Sequence, residues 1–247
     1  MTEQRVDIGG RSLAVWCSGA GAPPVILETG LGAPAADWLP VQEAVAQQTS
    51  VCRYDRANCG ASDPAPTPRT ARDMAEDLHH LVAAFELSTP LVLAGHSFGG
   101  PIAIEYCAAW PDEVGDLVLV DPAAPDQFDI FGPFIPEQMT EMKEFWTTGW
   151  RTPEGTAERI DFPTTFESLR KIDDLRDVEM IVLTSGNWQI APIPEPHDTW
   201  VRLHQDYVAL STRAEQRVLD GTDHFLQRSA PDSVAKAILD VVSRVQG

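Results

Sequence analysis

The chain has 247 residues, 43% of them hydrophobic and 22% charged, and carries a formal net charge of −19 at pH 7. That balance suits a globular protein long enough to bury a full core, not a disordered chain. The negative charge argues against nucleic acid and anionic membrane surfaces as partners, because their phosphates would be repelled. No window holds the roughly 18 consecutive apolar residues of a membrane span, and the N-terminus lacks a basic region followed by an apolar run. Cys17, Cys52, Cys59 and Cys107 are scattered without a Cys-x-x-Cys pair. Neither a metal centre nor a disulfide framework is expected from them, and a reduced, cytoplasmic protein is the expectation.

Arg5–Ile8 and Arg11–Cys17 flank Gly9 and Gly10, a two-residue hairpin turn between strands. Pro24–Glu28 reads as the next strand and runs into a Thr29-Gly30-Leu31-Gly32 loop. A short helix over 41–48 and a strand over 50–54 follow, ending in the block Asp55–Ser62. Pro64, Pro66 and Pro68 make an extended connector. The helix predicted over 70–85 presents Met74, Leu78, Leu81, Val82 and Phe85 on one face. Leu91, Val92 and Leu93 form a buried strand, followed at once by Gly95-His96-Ser97-Phe98-Gly99 and a helix over 102–109.

Strand, Gly-x-Ser-x-Gly, helix is the pattern of a nucleophile elbow. A serine at the tip of so tight a turn sits on strained backbone, so its neighbours two before and two after must be small, as Gly95 and Gly99 are. The turn lifts the hydroxyl clear of the sheet and sets the Phe98 amide at a helix N-terminus, which favours developing negative charge. Beyond it, strand and helix keep alternating, as in a parallel sheet with right-handed crossovers whose functional residues gather at the carboxyl ends of the strands. The strand over 116–121 ends in Asp121 at such a place. Residues 123–177 interrupt the alternation with Phe128, Phe131, Phe134, Phe145, Trp146 and Trp150, and with helical patches over 136–148 and 165–171. A strand over 179–184, a helix over 200–210, a strand over 216–219, the loop Asp220-Gly-Thr-Asp-His224 and a helix over 233–245 complete the chain.

These motifs resemble the α/β-hydrolase superfamily. The resemblance implies a mostly parallel eight-stranded sheet with helices on both faces. It also implies one domain of 1–247, its core at 1–122 and 178–247 and a short helical cap inserted over about 123–177. In the family the loop at 29–32 commonly reads His-Gly-x-Gly and donates an oxyanion-hole amide, here from Leu31 by position, with Phe98 supplying the other. Thr29 stands where the family often has His. The block at 55–62 matches the family's Asp-Arg-x-Gly-x-Gly-x-Ser, with Asn58 for a Gly, and is read as shaping a turn.

The resemblance and the chain order Ser…Asp…His nominate Ser97 as nucleophile and His224 as general base. The triad acid stays open between Asp121, after the strand that follows the elbow helix, and Asp198, because no carboxylate follows Gly186 before Glu195. Asp223, adjacent to His224, points elsewhere in such loops. A serine with two backbone donors suits acyl transfer through an acyl-enzyme, so the expected activity is hydrolysis of a carboxylic ester or lactone of a small to medium apolar substrate, without cofactor or metal. A thioesterase or cofactor-free perhydrolase is the alternative, and a non-hydrolytic ligand receptor on the same fold is the alternative of another class.

Overall fold

A computed structural model describes residues 2–134, 158–187 and 195–245. Eight strands form one sheet: β1 (Gln4–Asp7), β2 (Ser12–Ser18), β3 (Val25–Glu28), β4 (Val51–Asp55), β5 (Leu91–His96), β6 (Val114–Val120), β7 (Glu179–Ser185) and β8 (Ala214–Leu219). Their spatial order is β1-β2-β4-β3-β5-β6-β7-β8. β1 and β2 pair antiparallel through a turn in which Gly9 and Gly10 both take positive φ (89° and 108°). β2 is antiparallel to β4, and every later pairing is parallel.

The central strands read as unbroken apolar runs because both of their faces are covered. Side chains alternate along them. Leu93, Leu117, Leu119, Met180 and Val182 join the core on one face, with α2 (Ala71–Ala84) and α3 (Gly99–Ala109). Val92, Ala94, Val118, Val120, Ile181 and Leu183 join a second cluster with α1 (Leu39–Val45) and the final helix (Pro231–Val245). α2 starts at a capping box. Thr70 Oγ accepts from the Asp73 amide (3.1 Å), and the Asp73 carboxylate accepts from the Thr70 amide (2.7 Å).

Between β6 and β7 the described residues include α4 (Gln127–Phe131), which the sequence pattern does not announce, and α5 (Phe162–Leu169). The helical patch expected over 136–148, with Phe145, Trp146 and Trp150, lies outside the described residues. The chain after α5 is stitched to the core. Leu175 donates its amide to the Leu210 carbonyl, and Ser211 Oγ donates to the Val178 carbonyl. α6 (Pro196–Val208), α7 (Leu226–Ser229) and α8 (the final helix, Pro231–Val245) follow. No helix among the described residues is long and apolar enough to cross a membrane.

The cysteines correct the expectation of four reduced thiols: Cys17 and Cys52 form a disulfide. The strand order explains it. β2 lies antiparallel beside β4 in a register that faces Cys17 with Cys52, which their separation of 35 residues does not disclose. Cys59 and Cys107 are free.

Gly99 illustrates why the elbow tolerates only glycine. A Cβ there would lie 2.6 Å from the Glu28 carbonyl oxygen and 2.8 Å from that of Thr29, both backbone atoms that cannot swing aside. Gly99→Ala is therefore expected to cost about 2–3 kcal/mol through forced displacement of the strand end. A urea unfolding midpoint equal to that of the parent would refute this.

Candidate active site

Ser97 occupies the tip of the turn between β5 and α3 with φ of 51°, a left-handed conformation unusual for a non-glycine residue. Its amide donates to the Val120 carbonyl (3.0 Å), and its carbonyl accepts from the Ala123 amide (3.0 Å), so the elbow is fixed to the end of β6. A Cβ on Gly95 would lie 2.4 Å from the Gly99 carbonyl oxygen, the closest approach in the turn.

Asp121 begins the loop after β6, fully buried and also at positive φ (46°). One carboxylate oxygen accepts from His224 Nδ1 at 2.6 Å and from Ser185 Oγ at 3.0 Å. The other accepts from the Ser185 amide at 2.7 Å and from Trp200 Nε1 at 2.9 Å. Burial pushes the Asp121 pKa up. The His224 hydrogen bond, the His204 and His224 charges and the Ser185 amide outweigh it and hold the carboxyl below its ordinary value. An ionised Asp121 can only accept, so His224 Nδ1 carries the proton and Nε2 is the nitrogen free to take one. The Asp121–His224 pair is thus assembled across 103 residues of chain. Asp198 instead lies exposed in the first turn of α6, and the exposed Asp223 accepts from the Phe225 amide.

The acid loop is gripped by one face of α6. Trp200, His204 and Tyr207, spaced four and three residues apart, donate to consecutive loop residues: Trp200 to the Asp121 carboxylate, His204 Nε2 to the Pro122 carbonyl (2.9 Å), and Tyr207 Oη to the Ala123 carbonyl (2.6 Å). Thr184 Oγ1 donates to His204 Nδ1 (2.8 Å) and accepts from Gln216 Nε2 (2.8 Å), which fixes the neutral tautomer of His204. Burial pushes its pKa down to about 4. His96, just before the candidate nucleophile, plays the same part for the other loop. Its Nε2 donates to the His224 carbonyl (2.9 Å), and its Nδ1 accepts from Gln227 (3.2 Å). Burial, then the nearby His224, pushes the His96 pKa down to about 3.

The loop 29–32 lies against the elbow: a Cβ on Gly30 would sit 3.3 Å from Ser97 Cβ. Neither the Leu31 amide nor the Phe98 amide is hydrogen-bonded to another described residue, so both are free to donate. Phe98 is buried, its ring edge-on to Phe162 of α5 (5.2 Å), and Phe162 also packs on Phe128 of α4 (4.8 Å) and Phe166 of α5 (5.5 Å). Of the other aromatics expected to line a cleft, Phe131 is fully buried near Trp200 and Phe134 is exposed.

The block 55–62 does more than shape a turn. Asp55 accepts from the Ala35 and Ala61 amides, and Asn58 takes φ of 71° while pairing with both polar backbone groups of Ala65, the role expected of an Asn standing for Gly. Arg56, however, reaches the loop 29–32. Its Nη1 donates to the Thr29 carbonyl (2.5 Å) and to Glu28, and its Nη2 to the Gly30 carbonyl (2.8 Å). Nε and Nη2 form a two-point pair with Glu158 (2.6 and 3.0 Å). Glu158 in turn accepts from the Gly32 amide (2.7 Å), and Tyr54 Oη donates to Glu28. Burial opposes both charges. The Arg56 charge and hydrogen bonds outweigh it at Glu158, whose pKa is lowered, and Glu158 and Glu28 outweigh it at Arg56, whose pKa is raised. Burial leaves Glu28 with a raised pKa. Arg56 stands in the Asp55–Ser62 block, whose pattern predicts only the shaping of a turn, and Glu158, Trp200, His204 and Tyr207 carry no motif in the sequence. The only trace of Trp200, His204 and Tyr207 is a polar tip on a helix face that otherwise reads as core.

Comparison with known proteins agrees with this architecture. The chain is 26% identical over 224 residues to YqjL of Bacillus subtilis (strain 168), covering 90% of this chain and 85% of that protein. A stretch of 102 residues is 35% identical to a Cronobacter turicensis protein named "Putative carbamate hydrolase RutD", covering 41% of this chain and 38% of that one. Among solved structures, a thermophilic esterase from Thermogutta terrifontis superposes with a TM-score of 0.69 at 21% identity, covering all of both chains, a likeness of fold. A sequence model described as the alpha/beta hydrolase family matches residues 25–237. With that match spanning most of the chain, and with the eight-stranded sheet and its serine elbow, the protein belongs to the alpha/beta hydrolase family.

Proposed function

We propose that this protein is a serine hydrolase that cleaves a carboxylic ester or lactone of a small to medium apolar substrate through an acyl-enzyme. The observation that carries the reading is the Asp121 carboxylate 2.6 Å from His224 Nδ1, beside an elbow serine held in left-handed backbone. His224 Nε2 takes the proton from Ser97 Oγ as the hydroxyl attacks the carbonyl carbon, and Asp121 stabilises the imidazolium that forms. The Leu31 and Phe98 amides receive the oxyanion. The imidazolium then protonates the departing alkoxide, leaving an acyl group on Ser97. Water, deprotonated by the same imidazole, releases the acid. The stretch similar to RutD supports a second reading, attack on a carbamate carbonyl by the same groups.

Short and medium p-nitrophenyl esters and the matching carbamates test both. Wild type is expected to turn over at least one series and to take a fluorophosphonate label on Ser97. Ser97→Ala should lose about 10⁶-fold in kcat and all labelling. Ligand binding without turnover or label would sink the hydrolase reading in favour of a receptor.

A further inference from the structure

The buried cluster around Arg56 is aimed at one peptide group. In a trans peptide the C=O and N–H point in opposite directions across a rigid plane. The Gly30 carbonyl, which accepts from Arg56 Nη2 at 2.8 Å, belongs to the same peptide unit as the Leu31 amide. Fixing the carbonyl on the guanidinium therefore fixes the direction of the N–H on the other side. The neighbouring contacts remove the remaining freedom of the loop. Arg56 Nη1 holds both oxygens of Thr29, and Glu158 holds the Gly32 amide, so the residues before and after the Gly30–Leu31 peptide are anchored by one ion pair.

We propose that Arg56 is a positioning residue for the oxyanion hole, orienting and polarising the Leu31 N–H through the Gly30 carbonyl, and that Glu158 orients the guanidinium for this task. The inference rests on the hydrolase reading above. A cation hydrogen-bonded to an amide oxygen draws electron density from the nitrogen and strengthens its N–H as a donor. This acts on the charged oxygen of the tetrahedral intermediate more than on the neutral ester, so its effect falls on kcat. The geometry of the pair suits the role. Arg56 presents a planar fork that meets the Glu158 carboxylate at two points while its remaining N–H groups serve Thr29, Gly30 and Glu28, which a lysine could not do. Glu158 opens the described segment that returns to the core through the Arg69–Ile160 bridge, so the oxyanion loop is tied to the chain entering from the insertion after β6.

Arg56→Lys and Glu158→Gln, assayed with p-nitrophenyl butyrate and butylboronic acid, test this. Both variants keep the size of the side chain, and Arg56→Lys also keeps its charge, so Glu158 stays paired. A melting curve confirms that each is folded. The expected result is a fall of about 10²-fold in kcat with KM within threefold, a parallel loss of affinity for the boronic acid, whose adduct with Ser97 mimics the tetrahedral intermediate, and an unchanged pH midpoint for the base. Unchanged kcat and boronate affinity in a folded variant would overturn the inference, as would a loss confined to KM or to melting temperature. A wild type that neither turns over the ester nor binds the boronic acid would instead bring down the hydrolase reading itself.

Discussion

Asp121→Asn is expected to lower kcat by about 10⁴-fold with KM little changed, while Asp198→Asn stays within twofold of wild type. Asp121 accepts four hydrogen bonds, from His224 Nδ1, both polar groups of Ser185 and Trp200 Nε1. An asparagine there brings an NH2 into a setting built only of donors. The Ser185 amide and the indole, which share one carboxylate oxygen, hold the amide oxygen on their side, so the NH2 takes the other position and faces His224 Nδ1 and Ser185 Oγ. The imidazole then carries its proton on Nε2 and cannot accept from Ser97. Loss of charge also removes the partner of the imidazolium. Steady-state kinetics on a chromogenic ester check the outcome. Near-normal turnover by Asp121→Asn together with loss in Asp198→Asn would move the acid to α6.

The second large effect is on stability in mild acid. His96 and His204 are buried and neutral, with pKa values pushed down to about 3 and about 4. In the unfolded chain both take a proton near pH 6.5. Between about pH 6 and 4 the unfolded state therefore binds two protons that the folded rings refuse, and stability falls as the pH falls. Asp116 works the other way. Burial first, then Glu179, raises its pKa to about 6, so the folded state binds that proton early. Summed over these three groups the slope is close to one proton, about 1.4 kcal/mol per pH unit. Urea midpoints of wild type should decline steadily from pH 6 to 4. His204→Gln, which keeps a donor for the Pro122 carbonyl, should make the decline shallower by the one proton that His204 contributes. Parallel curves for the two proteins would refute the assignment.

The sheet was readable because strands buried on both faces leave uninterrupted runs such as Leu91–Ala94 and Leu117–Val120. The elbow was readable because Gly95 is dictated by a contact within five residues, although Gly99 answers to Glu28 and Thr29 on a distant strand end. The hairpin at Gly9 and Gly10 is equally local. What sequence could not resolve depends on which distant segments meet. Asp121 and Asp198 both satisfied the chemistry of a triad acid, and only the packing of β6 beside β7 against the His224 loop separates them. The disulfide needs the register of β2 on β4. Arg56 and Glu158 stand 102 residues apart, and nothing near either hints at the other. The stripe Trp200, His204, Tyr207 looks like any helix face turned to the core. Its hydrogen bonds depend on a loop some 80 residues earlier.

Ser97 and Asp121 both stand at positive φ without being glycine. Each such residue costs about 1–3 kcal/mol, so the two groups proposed to do the chemistry weaken the fold that presents them. Selection for thermal resistance alone would favour Gly at both positions, and under the proposed mechanism every such gain would be a loss of turnover. Directed evolution toward a hardier enzyme must therefore hold these two codons constant and look for its increments on the outer helices.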